Sequence, residues 1–201
     1  FAAREDKKID KRSGVSQRLP ISCTENVISN AERRAIQNNE KVVVPRISDI
    51  YAALPAITGK LELEYEGEMK GADHVGRELI RTAIAKTYDD YFNGVNMQQV
   101  VQWFDLGGEI QLADSAGARE ALQSLHGIQG LTDKLDKVSV SSEDPDEMQV
   151  SAAEFVLEGL HAHKRIGRNE ERVFRAGEKP PKHTEKPMER EEPFRGRRPY
   201  N

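Results

Sequence analysis

The chain has 201 residues, enough for one domain or for two small helical ones. Hydrophobic residues make up 37%, charged residues 32%, and the mean hydropathy is -0.70, so we expect part of the chain to lie outside a core. No apolar run approaches the ~18 residues that cross a bilayer, and no signal peptide is visible. The single cysteine, Cys23, cannot form an internal disulfide. These features exclude a membrane-spanning class and lead us to expect a cytoplasmic protein.

The charge is distributed unevenly along the chain. The net charge is -4, but 164–201 contain twelve Lys/Arg and seven Asp/Glu and so carry +5, which leaves -9 on 1–163. An acidic body argues against nucleic-acid binding by the folded part. The basic end suits only a weak, salt-sensitive contact with an anionic partner.

The first elements are predicted as helices. The charged stretch 1–12 begins at Phe1 in the middle of a helix-compatible run, and we interpret the chain as a fragment. Ser13-Gly14 interrupts that run. Ser16 is then predicted to cap a new helix that extends to Ile36.

A second helix is predicted from Ser48, again as a cap, and Pro55 inside it should kink or shorten it. The alternation of apolar and acidic residues over 61–69 fits either a strand or an acidic helix. The strongest helix is 72–92, which Asn93-Gly94 ends. Its apolar stripe consists of Leu79, Ile80, Ala83, Ile84, Tyr88, Tyr91 and Phe92.

The second half contains shorter elements. Glycines separate three short helical segments, and a Ser, Asp and Glu-rich loop leads into a last helix, 147–165. From about residue 175 the chain has too few apolar residues to offset the entropy of ordering, so we predict disorder there. The predicted class is all-α. The short segments are 97–106, 115–125 and 128–136.

One arginine stands out as a candidate binding residue. In Ser13-Gly14-Val15-Ser16-Gln17-Arg18, a glycine-containing turn leads into a helix that carries Arg18 in its first turn. A guanidinium held there can donate several hydrogen bonds to a phosphate and stays charged at any relevant pH. The alternative is a solvated helix-start arginine.

The segments SGVSQRLPISCTENVISNAERRAIQNNE and VVPRISDIYAALPAITGKLELEYEGE resemble the C-terminal lid of AAA+ ATPases. The nearest branch is the MoxR-like and magnesium-chelatase I-subunit group, including bacterial proteins described as magnesium chelatase or sigma-54-interacting. The resemblance is strong over 1–93 and weaker through YFNGVNMQQVVQWFDLGG and the final helix. It implies that Arg18 is the sensor-2 arginine, which contacts the γ-phosphate of ATP from the lid.

The resemblance also implies an organisation and partners. Residues 1–12 would end an upstream AAA+ core, 13–93 would form the helical lid, 95–173 an accessory helical domain, and 174–201 a disordered basic tail. The intact protein would use ATP and Mg²⁺ and assemble into a homo-oligomeric ring, a hexamer by analogy. It would act with a von Willebrand factor A-domain protein to remodel a client or insert a metal into it.

The chain itself lacks a phosphate-binding loop. Gly59-Lys60 matches the Gly-Lys pair near the end of that motif. The motif also requires a glycine at position 54 and a serine or threonine at position 61, and the chain has Leu54 and Leu61 there. We therefore expect an ATP hydrolase only in the intact protein. No catalytic residue is assigned within this fragment.

Other residues give weaker signals. His161 and His163 point about 200° apart on a helix, so joint metal ligation is not expected. Trp103-Phe104 is interpreted as core, with partner docking as the alternative. Arg195 to Arg198 is interpreted as part of a solubilising tail. The acidic residues interpreted as a solvated face, rather than a metal or partner surface, are Glu62, Glu64, Glu66 and Glu68.

A different class of function stays open, a helical adaptor or transcription-associated module that binds a protein or DNA without nucleotide. The short helices between 97 and 136 could contain a helix-turn-helix. Against this, the body is acidic, and only Gln98, Gln99 and Gln102 suggest a recognition helix.

Overall fold

The computed structural model describes residues 2–169 and 172–177. The chain is mostly helical, with one small three-stranded sheet near its end. Among the described residues, no helix combines the length and the apolar character needed to span a membrane.

The first half consists of helices joined by short turns, and the prediction of a predominantly helical chain is confirmed there. The helix predicted across Pro55 is shortened rather than kinked, because it ends at Ala52 and Pro55 lies in the first turn of a separate helix. The ambiguous stretch 61–69 resolves into isolated bridges at Leu61 and Leu63 followed by a short helix. The helices are α1 (Ala2–Glu5), α2 (Leu19–Asn38), α3 (Ile47–Ala52), α4 (Leu54–Thr58), α5 (Tyr65–Lys70) and α6 (Ala72–Phe92).

The second half adds both helices and strands. Strand β3 lies between β1 and β2 and pairs antiparallel with each, with Ile110 opposite Phe174 and Ile166 opposite Ala176. The elements are α7 (Gln98–Asp105), β1 (Ile110–Gln111), α8 (Ala118–Leu125), a 3-10 helix (Thr132–Val138), α9 (Asp146–Ala162), β2 (Ile166–Arg168) and β3 (Val173–Ala176).

The sheet corrects the purely helical class predicted from the sequence. Phe174 of β3 is fully buried in the core, so β3 enters the range 174–201 that was predicted as a disordered tail. The remainder of that predicted tail, 178–201, lies outside the described residues. The strands are only two to four residues long, too short for an alternating pattern to be recognised.

Neither predicted serine cap is present. Helix α2 begins at Leu19, with Arg18 as its N-cap. Among the described residues, the Ser16 hydroxyl accepts only from the Arg18 backbone N–H, at 3.3 Å. The N-cap of α3 is Arg46, whose backbone N–H donates to the Asp49 carboxylate at 2.8 Å. Because Asp49 performs the capping, Ser48 is displaced into the helix.

The core continues across the boundary predicted near residue 94. The largest cluster of buried apolar side chains joins α6, through Tyr88 and Phe92, to α7, α8, α9 and the sheet. Phe155 of α9 packs against this cluster and also against the smaller cluster beneath α3 and α4. The segments before and after residue 94 therefore share a packed interface, with α9 at its centre.

The approach of α6 to α9 depends on Gly159. A Cβ added at Gly159 would lie 2.0 Å from Tyr88 Cδ2, and that ring is held by stacking on Phe92 with centroids 4.7 Å apart. We predict that Gly159→Ala lowers the free energy of unfolding by about 1–3 kcal/mol through overpacking. Urea denaturation measures this loss.

The matched control for this prediction is the double variant Gly159→Ala/Tyr88→Ala. Removing the ring should relieve the clash, so the double variant should lose less stability than the two single losses added together. Additive losses would contradict the proposed contact.

Candidate functional site

The turn before α2 requires a glycine. Gly14 is buried, and a Cβ there would lie 2.0 Å from the Asp10 carbonyl oxygen and 2.6 Å from Ile9 Cγ2. The Gly14 N–H donates to that same Asp10 carbonyl at 3.0 Å. A larger residue would push the chain out of this turn and change the entry into α2.

Backbone hydrogen bonds hold the turn against the segment after α4. The Ser16 N–H donates to the Lys60 carbonyl at 3.1 Å, and the Glu62 N–H donates to the Gly14 carbonyl at 3.0 Å. Asp10 Oδ1 also accepts from the backbone N–H groups of Ser13 and Arg12, and these bonds lower the pKa of Asp10. The start of α2 is thus fixed on both sides.

Arg18 stands at this fixed start and is exposed. Its side chain makes no hydrogen bond or ion pair with any residue that the structure describes. The N-terminal end of the α2 dipole adds a partial positive charge beside it. The Arg18 and Leu19 N–H groups already donate to Ser16, and Pro20 has no N–H, so the guanidinium rather than the backbone is the free donor at this helix start. The arrangement can present a guanidinium to an external anion, and it does not enclose a phosphate by itself.

Gly59 and Lys60 lie in a different setting from a phosphate-binding loop. Gly59 is the C-cap of α4, and the Lys60 carbonyl accepts the Ser16 N–H described above. A phosphate-binding loop instead leads into the N-terminus of a helix. Lys60 therefore serves to anchor the turn that carries Arg18.

A buried ion network, which the sequence analysis missed, connects the two halves. It joins α2 and α3 to α9 and to the β2–β3 hairpin, and it brings together positive and negative side chains from four separate parts of the chain. Its members are Arg34, Arg46, Asp49, Glu154, Glu158, Arg168 and Arg172.

Glu154 is the centre of this network and is 0% exposed. Its carboxylate accepts from Arg46 Nε at 2.7 Å, from the Ser48 N–H at 2.9 Å, and from Arg172 Nη2. Burial alone raises its pKa, but the charges of Arg46 and Arg172 and these hydrogen bonds hold the pKa of Glu154 below its ordinary value. Glu154 is therefore an ionised structural group.

Glu158, one turn further along α9, has the opposite shift. It accepts from Arg168 Nη1 at 2.5 Å, and Arg172 Nη2 lies 3.5 Å away. Burial raises the pKa of Glu158, and the two arginines offset this only in part. Its Oε2 is buried without a hydrogen-bond partner among the described residues.

A sequence signal for the network exists in retrospect. Glu154 and Glu158 interrupt the apolar stretch 152–160 of α9 at a spacing of four, so both carboxylates lie on one face. Burial of such a face requires cationic partners from elsewhere in the chain. The sequence offers many arginines, and only the fold selects Arg46, Arg168 and Arg172.

The two histidines lie apart, as their spacing predicts. His161 Nδ1 is 3.3 Å from the Ile166 carbonyl, and burial, followed by the charge of Arg168, lowers the pKa of His161. His163 Nε2 lies 2.9 Å from Asp89 Oδ1. Within 2–169 and 172–177, no group of three or more His, Cys, Asp or Glu residues could hold a metal ion.

The remaining candidates divide between surface and core. Glu62, Glu64, Glu66 and Glu68 are exposed, and Glu62 accepts a hydrogen bond from the Ser13 hydroxyl. Phe104 is fully buried and Trp103 packs on it edge to face at 4.9 Å, which confirms the interpretation of this pair as core. Gln98, Gln99 and Gln102 are exposed on α7, and Arg195 to Arg198 lie outside the described residues.

Comparison with known proteins gives no match to a family model, to a curated protein or to a solved structure.

Removing the central charge tests the network. Glu154→Gln would leave Arg46 and Arg172 buried without their shared carboxylate, and we predict a loss of about 3–5 kcal/mol in unfolding free energy. Thermal and urea denaturation measure it. Glu120→Gln, an exposed carboxylate on α8, is the matched control and should change stability by less than about 0.5 kcal/mol. Equal effects of the two variants would contradict the role of Glu154.

The raised pKa of Glu158 predicts a pH dependence. The native state keeps the Glu158 proton to higher pH than the unfolded chain does. The contribution of Glu158 to the free energy of unfolding therefore falls as pH rises from the ordinary glutamate pKa toward the raised one. Glu158→Gln stays neutral, and its stability relative to the wild type should therefore increase with pH in that window. Urea unfolding from about pH 4 to about pH 8 checks this. A constant difference would contradict it.

Proposed function

We propose that this chain is the C-terminal lid and accessory region of an AAA+ ATPase that couples ATP hydrolysis to remodelling of a client protein, or to metal insertion into it. The observation that carries the proposal is Arg18, an exposed guanidinium on a rigidly held helix start. In this proposal Arg18 contacts the γ-phosphate of ATP bound to an AAA+ core, and the hydrolytic residues and Mg²⁺ ligands belong to that core rather than to this chain.

The surroundings of Arg18 support this assignment. An arginine that senses nucleotide state needs a backbone held in place and a guanidinium free to bind phosphate, because a flexible backbone would absorb the movement. Gly14, Ser16 and Lys60 hold this backbone in place. Gly14 and Ser16 belong to the G-x-S-x-R segment that carries the family resemblance, and Lys60 lies in the second segment that carries it.

Helix α2 offers a route by which phosphate contact could move the rest of the chain. Arg34 lies sixteen residues beyond Arg18, about 24 Å along the helix axis. Arg34 is buried, and its Nη1 donates to both oxygens of Asp49 at 2.7 Å. Asp49 in turn caps α3, whose Ser48 N–H binds Glu154 of α9. A displacement of α2 would therefore be transmitted to the accessory region.

The proposed assembly follows from the same assignment. We propose a cytoplasmic, ring-shaped homo-oligomer, a hexamer by family analogy, in which the lid packs against a neighbouring subunit. The accessory region would face a partner, with a von Willebrand factor A-domain protein as the family-based expectation. Exposed apolar side chains on the outer face of α2 (Ile21, Ile28 and Ile36) provide surface for such contacts.

A second candidate function is a helical adaptor that works without nucleotide. One observation favours it, namely that Gln98, Gln99 and Gln102 all remain exposed on α7 and could contact a partner. The acidic body counts against DNA as that partner.

Substitution of Arg18 separates the two functions. In the protein that includes an upstream ATP-binding core, Arg18→Ala should reduce ATP turnover by about 10²-fold or more, the scale on which loss of a group that stabilises transition-state charge is felt. Steady-state phosphate release measures the turnover. This chain alone should not hydrolyse ATP.

Arg33→Ala is the matched control. Arg33 is an exposed arginine on the same helix whose side chain donates to Asn30 Oδ1, and its loss should leave turnover within about twofold. Unchanged turnover in Arg18→Ala, or equal losses in both variants, would contradict the sensor role and favour the adaptor.

A further inference from the structure

Helix α5 presents two large apolar side chains to solvent. Tyr65 is 77% exposed and Met69 is 72% exposed, and their spacing of four places them on one face of the helix. Gly67 is on the opposite face, where it is buried and where an added Cβ would clash with the Lys8 carbonyl oxygen. The helix is therefore anchored through Gly67. The apolar α5 face, which carries Tyr65 and Met69, belongs to none of the apolar clusters formed by the described residues.

Carboxylates border the apolar α5 face on both sides. At 3.6 residues per turn, Glu66 and Glu68 point about 80° to either side of it, and Glu62 and Glu64 lie just before the helix. All four are exposed. Among the described residues, the only ion pair of these carboxylates is the one between Glu66 and Lys70, at 3.9 Å. The surface is thus an apolar strip beside four carboxylates with little compensating charge.

This combination selects a ligand that carries cationic and apolar side chains together. Nucleic acid and anionic lipid would be repelled by the four carboxylates. A purely apolar segment would cover Tyr65 and Met69 but would remove water from the neighbouring carboxylates without replacing it. Arginine suits both parts of the surface, because its guanidinium pairs with carboxylates and stacks on aromatic rings such as that of Tyr65.

The last nine residues of the sequence have this chemistry. Segment 193–201, PFRGRRPYN, contains three arginines, two aromatic residues and no acidic residue. The fifteen residues before it, 178–192, have four Lys/Arg and five Asp/Glu, so the positive charge is concentrated in 193–201. Phe194 also suits Met69, because a thioether makes favourable contacts with an aromatic ring. Both ranges lie outside the described residues.

The connecting segment is long enough for this contact. Fifteen residues separate Gly177, the last described residue, from Pro193, and they span up to about 50 Å when extended. A compact body of this size has a diameter of about 40 Å. Residues 193–201 can therefore reach α5. Tethering also gives them an effective concentration on the order of millimolar, so a weak contact is sufficient within one chain.

We propose that residues 193–201 bind to the apolar α5 face of the same chain. The arginines pair with the bordering carboxylates, and the aromatic side chains cover Tyr65 and Met69. Because these ion pairs are solvent-exposed, salt weakens the contact, and a cationic partner protein can displace the segment. The contact is a reversible cover of one surface. It involves neither Arg18 nor a nucleotide, so it stands apart from the proposed function.

Paramagnetic relaxation enhancement in the 201-residue chain tests the contact. A nitroxide is attached at Asp73→Cys, an exposed position four residues beyond Met69, in a Cys23→Ser background. The control label is at Leu106→Cys, which is 81% exposed and ends α7. Helix α7 follows the far end of α6, which is about 30 Å long. Amide signals of 194–200 should lose most of their intensity with the label at position 73 and keep most of it with the label at position 106.

Charge reversal identifies the carboxylates. With the label at position 73, Glu66→Lys/Glu68→Lys should return the 194–200 signals to near their intensity in the reduced, diamagnetic sample. Glu109→Lys/Glu120→Lys is the matched control, because it changes the net charge equally at two exposed glutamates elsewhere, and it should leave the signal loss intact. The dispersion of the amide spectrum verifies that each variant is folded.

A compensating reversal on the segment completes the test. Adding Arg195→Glu, Arg197→Glu and Arg198→Glu to Glu66→Lys/Glu68→Lys restores opposite charges across the contact, so the signal loss should return. Recovery of this kind is specific to the pairing, since a structural effect of the lysines would persist.

Three results would overturn the proposal. Equal signal loss from both labels, or none from either, would show that the segment does not prefer α5. Signal loss that survives Glu66→Lys/Glu68→Lys would show that these carboxylates take no part. The last result comes from mixing nitroxide-labelled chains with isotope-enriched chains that carry no label. Signal loss there as large as within one chain would place the segment on a second copy instead.

Discussion

The buried carboxylate of Glu154 is the interaction on which the rest of the structure depends. A fully desolvated negative charge is stable only where cations and N–H donors surround it. Here they are Arg46 just before α3, the backbone N–H of Ser48 in α3, and Arg172 just before β3. These groups lie more than a hundred residues from Glu154 in one direction and eighteen in the other. The charge therefore fixes how three distant segments meet, which apolar packing alone specifies less sharply.

This constraint explains why the two predicted units form one packed body. Helix α9 contacts α6 through Gly159 and Tyr88, α3 through Glu154, and the sheet through its C-terminal end. Any movement of α2 relative to α9 must break either the Arg34–Asp49 pair, which joins α2 to α3, or the Arg46–Glu154 pair, which joins α3 to α9. A mechanical role for the chain would therefore involve α2, α3 and α9 moving together rather than a hinge near residue 94.

The sequence predicted the long elements well and the short or charge-dependent ones poorly. The apolar stripe of α6 and the break at Pro55 follow from local rules of spacing and backbone geometry. The strands could not be predicted, because β1 has two residues and its partner Phe174 lies more than sixty positions away. The ion network was missed for a related reason. A glutamate on a helix is normally exposed to solvent, and only the fold shows that Glu154 faces buried arginines.

Arg18 and Arg34 lie near the two ends of α2 and show how the same chemistry acquires different roles. Arg34 is buried, paired with Asp49 and donating to the Val44 carbonyl, so its hydrogen-bonding capacity is used inside the fold. Arg18 is held just as firmly by its backbone, yet its guanidinium meets no acceptor in the described chain. Surface arginines on a mobile backbone are common and give little indication of function. Recognition of an external anion is favoured by an ordered backbone with a free guanidinium, because the entropy of ordering the backbone is already lost before the anion binds. This difference, rather than the presence of an arginine as such, is the physical reason why we propose Arg18 for the recognition role.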